Sequence, residues 1–107
     1  RLKKERPILN FNYKELETSA EILKVLAHPV RLCIVRGLIE NGAQIVSSMQ
    51  NCLEIPQSTL SQHLQKLRAA GVIEGERNGL EIQYHVCSEV AIRTVKALLL
   101  SVNEEEI

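Results

Sequence analysis

Between Gln57 and Lys66 the chain reads Gln-Ser-Thr-Leu-Ser-Gln-His-Leu-Gln-Lys, a run of hydroxyls and carboxamides with one fixed charge at its end. Such side chains donate and accept hydrogen bonds without exchanging protons, so their chemistry is the recognition of polar edges rather than bond breaking. Groups suited to catalysis are sparse elsewhere. The chain contains no Asp, which removes a Ser-His-Asp set and an Asp-rich metal loop. Its five glycines make no phosphate-cradling loop. Cys33, Cys52 and Cys87 include no Cys-x-x-Cys pair, which fits neither a disulfide framework nor a zinc ribbon. No catalytic residue, metal or cofactor is expected, and an enzyme is not.

The elements that must hold this polar run follow from periodicity. Leu16, Ala20, Leu23 and Leu26 recur at helical spacing over Tyr13 to Ala27, and His28-Pro29 ends that helix and opens a second. The second runs to about Glu40, carries Val30, Ile34 and Leu38 with Leu32, Val35 and Ile39, and stops at Asn41-Gly42. A short third helix spans about Gln44 to Leu53, with Ile45, Met49 and Cys52/Leu53 as its stripe. A fourth, opened by Pro56 and closed by Gly71, covers 56–70. There Leu60, Leu64 and Leu67 form one ridge, so Ser58, Gln62 and Gln65 point the opposite way.

After Gly71 the period changes to two. Val72 to Arg77 and Leu80 to Cys87 flank Asn78-Gly79, a strong hairpin signal in which both turn residues tolerate positive φ. Ser88 suits an N-cap for a last helix with Ile92, Val95, Leu98/Leu99 and Val102 as its stripe. The expected fold is mainly α with a small β-hairpin, in the order α-α-α-α-β-β-α. Residues 1–12 read as a basic arm, 13–102 as the folded domain and 103–107 as an acidic tail.

Two short helices joined by a tight turn, with a hairpin directly after the second, describe a winged helix-turn-helix, whose second helix enters the DNA major groove. The groove is about 12 Å wide, and Gln, Ser and Thr side chains can reach its base edges. Ser58, Ser61 and Gln62 are the candidates for base edges, and Lys66, Arg68 and Arg77 for phosphates; Gln57, Thr59, Gln65 and Asn78 complete the candidate DNA-binding set. His63, between the ridge and the outward face, is expected to take a hydrogen-bonded packing role, and His28 to cap or orient the turn before Pro29. Double-stranded DNA is the expected partner. A winged helix that docks on a protein is the competing reading, because 13 basic residues balance 13 acidic ones and the whole-molecule field offers no attraction to a polyanion.

Ala27-His28-Pro29-Val30-Arg31-Leu32, then Gln57 to Leu64, then Leu67-Arg68-Ala69-Ala70-Gly71-Val72-Ile73 resemble the ArsR/SmtB repressors over roughly residues 15 to 100. The resemblance implies operator binding by the fourth helix and the wing, dimerisation through the first and last helices, and repression relieved by a ligand. It also implies that the thiolate pair of some members would fall at Ile45 and Ser47, and the last-helix ligands of others at Ser88, Val90, Ser101 and Glu104. Only Glu104 among these six could bind a metal.

The dimer has independent support, because the terminal helices carry more apolar positions than a core of this size covers. Leu16, Ala20, Leu23, Ile92, Val95, Leu98 and Leu99 are the candidate interface. Cys33 and Cys87 could form a thiol switch if their Cα atoms lie within about 7 Å; the plainer expectation is that the cysteines are buried small hydrophobes. No apolar run reaches the roughly 18 residues of a membrane span, and the first residues show no secretory pattern, so a cytoplasmic location is expected.

Overall fold

A computed structural model describes residues 12–100. The basic arm Arg1 to Arg6, Ser101, Val102, Glu104 and the tail 103–107 lie outside the described residues. The elements are α1 (Tyr13–Leu26), α2 (Pro29–Asn41), β1 (Gln44–Ile45), α3 (Val46–Leu53), α4 (Gln57–Ala69), β2 (Ile73–Asn78), β3 (Glu81–Val86) and α5 (Glu89–Val95), which continues as a π-helical turn, Lys96–Leu100.

Local chemistry sets the helix boundaries. Asn12 Oδ1 accepts from the backbone N–H groups of Lys14 and Glu15 and so caps α1. His28 Nδ1 does the same for α2, accepting from Val30 N–H at 3.1 Å, with Pro29 in the first turn. Ser88 Oγ accepts from Ala91 N–H and caps α5. At the end of α4, Gly71 takes φ 78°. Its N–H donates to the Arg68 carbonyl, and Val72 N–H donates to the Leu67 carbonyl, a Schellman arrangement that turns the chain into β2.

Two details differ from the expected pattern. Gln44 and Ile45 are extended, pairing antiparallel with Tyr84 and Gln83, so the sheet has three strands in the order β1-β3-β2. This pairing gives the second edge of β3 backbone partners that a bare hairpin would leave to solvent. With Ile45 drawn into a strand, α3 starts at Val46 and its inward stripe is Val46, Met49 and Leu53, leaving Cys52 exposed. The wing turn is also shifted. Asn78 pairs with Glu81, so the central residues are Gly79 and Leu80. Only Gly79, at φ 70°, needs positive φ, which is the type II′ solution and lets Asn78 keep strand geometry.

The core gathers Ile22 and Leu26 of α1, Ile34, Val35 and Leu38 of α2, Met49 of α3, the α4 leucines, Val72, Ile73 and Tyr84 of the wing base, and Ala91 and Val95 of α5. Every helix contributes, so α4 is held from behind by the rest of the molecule. Among the described residues no helix is long and apolar enough to cross a membrane.

Candidate nucleic-acid interface

The α4 ridge is buried: Leu60, Leu64 and Leu67 retain 0%, 2% and 0% of their accessible surface. Helical geometry then turns the other face outward. Gln57, Ser58, Ser61, Gln62, Gln65, Lys66 and Arg68 are all exposed, and Thr59 is half-buried. No side-chain hydrogen bond within the described residues engages the exposed Ser and Gln side chains, so their donors and acceptors are available to a partner.

The wing extends this surface. In the β2–β3 register, Gly75 pairs with Tyr84 and Arg77 with Ile82 on one face, whereas Glu74 pairs with His85, Glu76 with Gln83 and Asn78 with Glu81 on the other. Tyr84 therefore brings the Arg77 face toward the helices, and the wing acids Glu74 and Glu76 lie on the opposite face, while Glu81 at the tip lines the same hollow as Gln57. Gly75 permits this packing: a Cβ there would stand 2.8 Å from Ile82 Cγ2 and 3.0 Å from Tyr84 Cε1. Ser61, Gln62, Gln65 and Arg68 line one hollow with Val46 and Tyr84, and Gln57 lines a second with Ile82 and Leu80. At the tip, Arg77 Nη1 donates to the Gly79 carbonyl at 3.3 Å, and Leu80 is 99% exposed.

Three of the five helices have side-chain N-caps, but α3 and α4 do not. The first-turn N–H groups of these two helices have no side-chain acceptor from their cap residues, and a helix N-terminus favours an anion. α4 contains no acidic residue and has Lys66 and Arg68 in its last turn. A molecule of zero formal charge thus presents a locally basic, hydrogen-bonding strip.

His63 joins α4 to the α1–α2 turn. Arg31 Nε donates to the Val25 carbonyl at 2.6 Å, and Arg31 Nη1 meets His63 Nδ1 at 3.2 Å. The His28 and His63 rings lie 4.6 Å apart at a tilt of 52°. Desolvation, then the positive neighbours His28, Arg31 and Lys66, lower the His63 pKa from its ordinary value. Sequence reasoning gave His63 a packing role and His28 the cap before Pro29, but missed Arg31, whose signal was only its position three residues after His28.

The cysteines correct the expectation of buried hydrophobes, since all three are free and exposed. Cys33 opens onto a groove between α2 and α3 together with Cys52. Cys87 stands at the wing base, where its Sγ donates to the Gly71 carbonyl and partial desolvation and the Glu74 carboxylate push its pKa up. Cys33 thus shares a groove with Cys52, and Cys87 does not line that groove. Among the described residues no cluster of three or more His, Cys, Asp or Glu side chains could hold a metal ion.

On the candidate dimer face, Leu16, Leu23 and Leu98 are exposed, as is Val90, while Ile92 and Leu99 are half-buried. Ala20 is also exposed. Val95 departs from the expected set, because it has no accessible surface and belongs to the protomer's own core.

Residues 26–76 match a family model described as a helix-turn-helix domain. The transcriptional repressor PagR of Bacillus anthracis is 47% identical over 74 residues, covering 69% of this chain and 74% of PagR. Its crystal structure superposes with a TM-score of 0.77 at 42% identity, over 81% of this chain and 99% of that one. The repressor SmtB of Mycobacterium tuberculosis is 44% identical over 71 residues, 66% of this chain and 52% of SmtB, so the match spans about half of that relative. A homodimeric winged helix-turn-helix DNA-binding domain of Mycobacterium bovis, solved by NMR, shares the fold at TM-score 0.75 and 24% identity, over 96% of this chain and 90% of that one.

Proposed function

The chain belongs to the ArsR/SmtB family of helix-turn-helix transcriptional repressors, and on that premise we propose that it represses transcription as a cytoplasmic homodimer bound to an inverted-repeat operator. The carrying observation is the buried Leu60, Leu64 and Leu67 ridge, set against exposed, unengaged Ser and Gln side chains on the opposite face of α4. Gln62 pairs bidentately with adenine, and Ser58, Ser61, Gln57 and Gln65 read neighbouring edges in the major groove. Thr59 supports the strip from the side. Lys66, Arg68, Arg77 and the first-turn N–H groups of α3 and α4 hold the phosphates and set the register, with Asn78 at the wing tip adding a polar contact. Apolar side chains left exposed on α1 and α5 meet their two-fold copies, which spaces two α4 helices about 34 Å apart, one DNA turn.

The test is duplex binding by two variants at two salt concentrations. Gln62→Ala is expected to flatten discrimination at one base pair, a loss of about 1–3 kcal/mol on the cognate site alone. Arg77→Ala is expected to weaken binding to all duplexes alike and to reduce the salt slope by about 1. Equal losses from both variants on every duplex would refute base reading by α4. Retention that ignores salt would favour a protein-docking role instead.

A further inference from the structure

We propose that the groove between α2 and α3 binds a small apolar α,β-unsaturated carbonyl compound, which adds covalently to Cys52 and thereby releases the protein from DNA. The regulatory half of this proposal rests on the DNA-binding reading above. The groove measures about 160 Å³, close to the roughly 150 Å³ of an apolar cavity that accepts one benzene ring. Ile34, Leu38 and Met49, all core residues, form its floor, so its chemistry suits a carbon skeleton of about one ring. Gly37 lies in the middle of α2, where glycine weakens a helix. A Cβ at Gly37 would meet nothing within 4 Å, so the missing side chain leaves the space open.

The reactive geometry comes from α3. Ser48 and Cys52 both line the groove and stand one turn apart on one helix face, which sets their Cβ atoms about 5–6 Å apart. That separation suits an enone whose β-carbon faces the thiol while its carbonyl oxygen faces the hydroxyl. Neither side chain has a hydrogen-bond partner among the described residues. Cys33 also opens onto the groove, but its neighbour one turn on is Gly37, which offers no donor; the Asn41 carboxamide lies two turns from Cys33 along α2, and Gln44 Nε2 already donates to the Asn41 carbonyl. The geometry therefore assigns the bond to Cys52.

In the step, the Cys52 sulfur bonds to the β-carbon, the carbon–carbon π pair moves to give an enolate, and Ser48 donates to the enolate oxygen. The thiol proton ends on the α-carbon. Nothing is oxidised or reduced and nothing leaves, so the protein gains the whole mass of the ligand. α3 is the first helix of the helix-turn-helix, and only residues 54–56 separate it from α4. A ring bonded to Cys52 fills the space between α2 and α3 and fixes their separation, so that α3, and α4 with it, can no longer adjust to the duplex.

The experiment reduces the full chain, removes the reductant, incubates the chain under inert gas with 2-cyclohexenone and follows adducts by intact mass and peptide mapping, with duplex retention measured on the same samples. One adduct on Cys52 is expected, with a rate that saturates with ligand concentration. Ser48→Ala should slow it roughly tenfold, as loss of one hydrogen bond to a charged oxygen predicts. Gly37→Val, which touches no reacting group, should abolish saturation, and circular dichroism establishes that both variants are folded. Equal labelling of Cys33, Cys52 and Cys87, or an unchanged rate in Ser48→Ala, overturns the site. So does a Cys33–Cys52 disulfide formed with peroxide in a chain that takes no enone adduct. Adducted protein that holds duplex as tightly as unmodified protein overturns the regulatory link. Unmodified protein that holds no duplex at all points instead to failure of the DNA-binding reading, and the mass measurement still judges the site.

Discussion

Arg31 carries only donors, so the short approach of its Nη1 to His63 Nδ1 requires that nitrogen to be unprotonated, with the ring proton on Nε2. A second proton on His63 would break this hydrogen bond and add a charge beside His28, Arg31 and Lys66. The sign follows. The folded-state pKa lies below the ordinary 6.5, so the unfolded chain binds the proton first, and stability present above pH 6.5 is lost as pH falls through the folded value. Urea midpoints between pH 7.5 and 5 should decline in the parent protein, and His63→Gln should flatten that decline. Arg31→Ala leaves the Val25 carbonyl and His63 without their partner and should cost about 1–3 kcal/mol at neutral pH, read from the same curves. The histidine roles were legible because His28-Pro29 is a helix boundary and His63 borders a leucine ridge. Cysteine burial was not, since Cys52 and Leu53 are equally good candidates for one stripe until Ile45 leaves the helix for a strand.

α4 is the element whose orientation decides the site. Its amphipathic spacing was legible because a helix with leucines at three- and four-residue intervals has one way to bury them. Leu64→Ala should cost about 2–5 kcal/mol in chemical denaturation, through lost apolar contact and the cavity left behind. The wing was legible as a hairpin but not in its turn. Asn-Gly permits a type I′ loop centred on Asn78 and Gly79, and Gly-Leu permits a type II′ loop one residue later; cross-strand packing selects the second by setting Ile82 and Tyr84 across Gly75. β1 was hidden for a related reason. Two extended residues have no periodicity, and only the open edge of β3 makes them a strand.

For the whole molecule, the unsettled surface lies on the terminal helices, where Leu23 and Leu98 remain 57% and 58% exposed beside Leu16 and Val90. Leucines exposed at heptad spacing on α1 suit a partner helix better than water. In the proposed dimer, Leu23→Glu combined with Leu98→Glu should give a monomer in analytical ultracentrifugation. Operator affinity should then fall by about a hundredfold or more, because the second half-site no longer binds as an intramolecular event. Val95→Ala should instead lower the stability of each protomer and leave its self-association intact. By itself the sequence determined the helices, the hairpin and the outward Ser and Gln strip, since periodicity, proline and glycine positions and capping residues act within a few residues of one another. Tertiary structure alone decided which of two equivalent apolar residues turned inward, where the wing turned and which cysteine faced Cys33, because those choices depend on edges and surfaces that exist only once distant segments have packed.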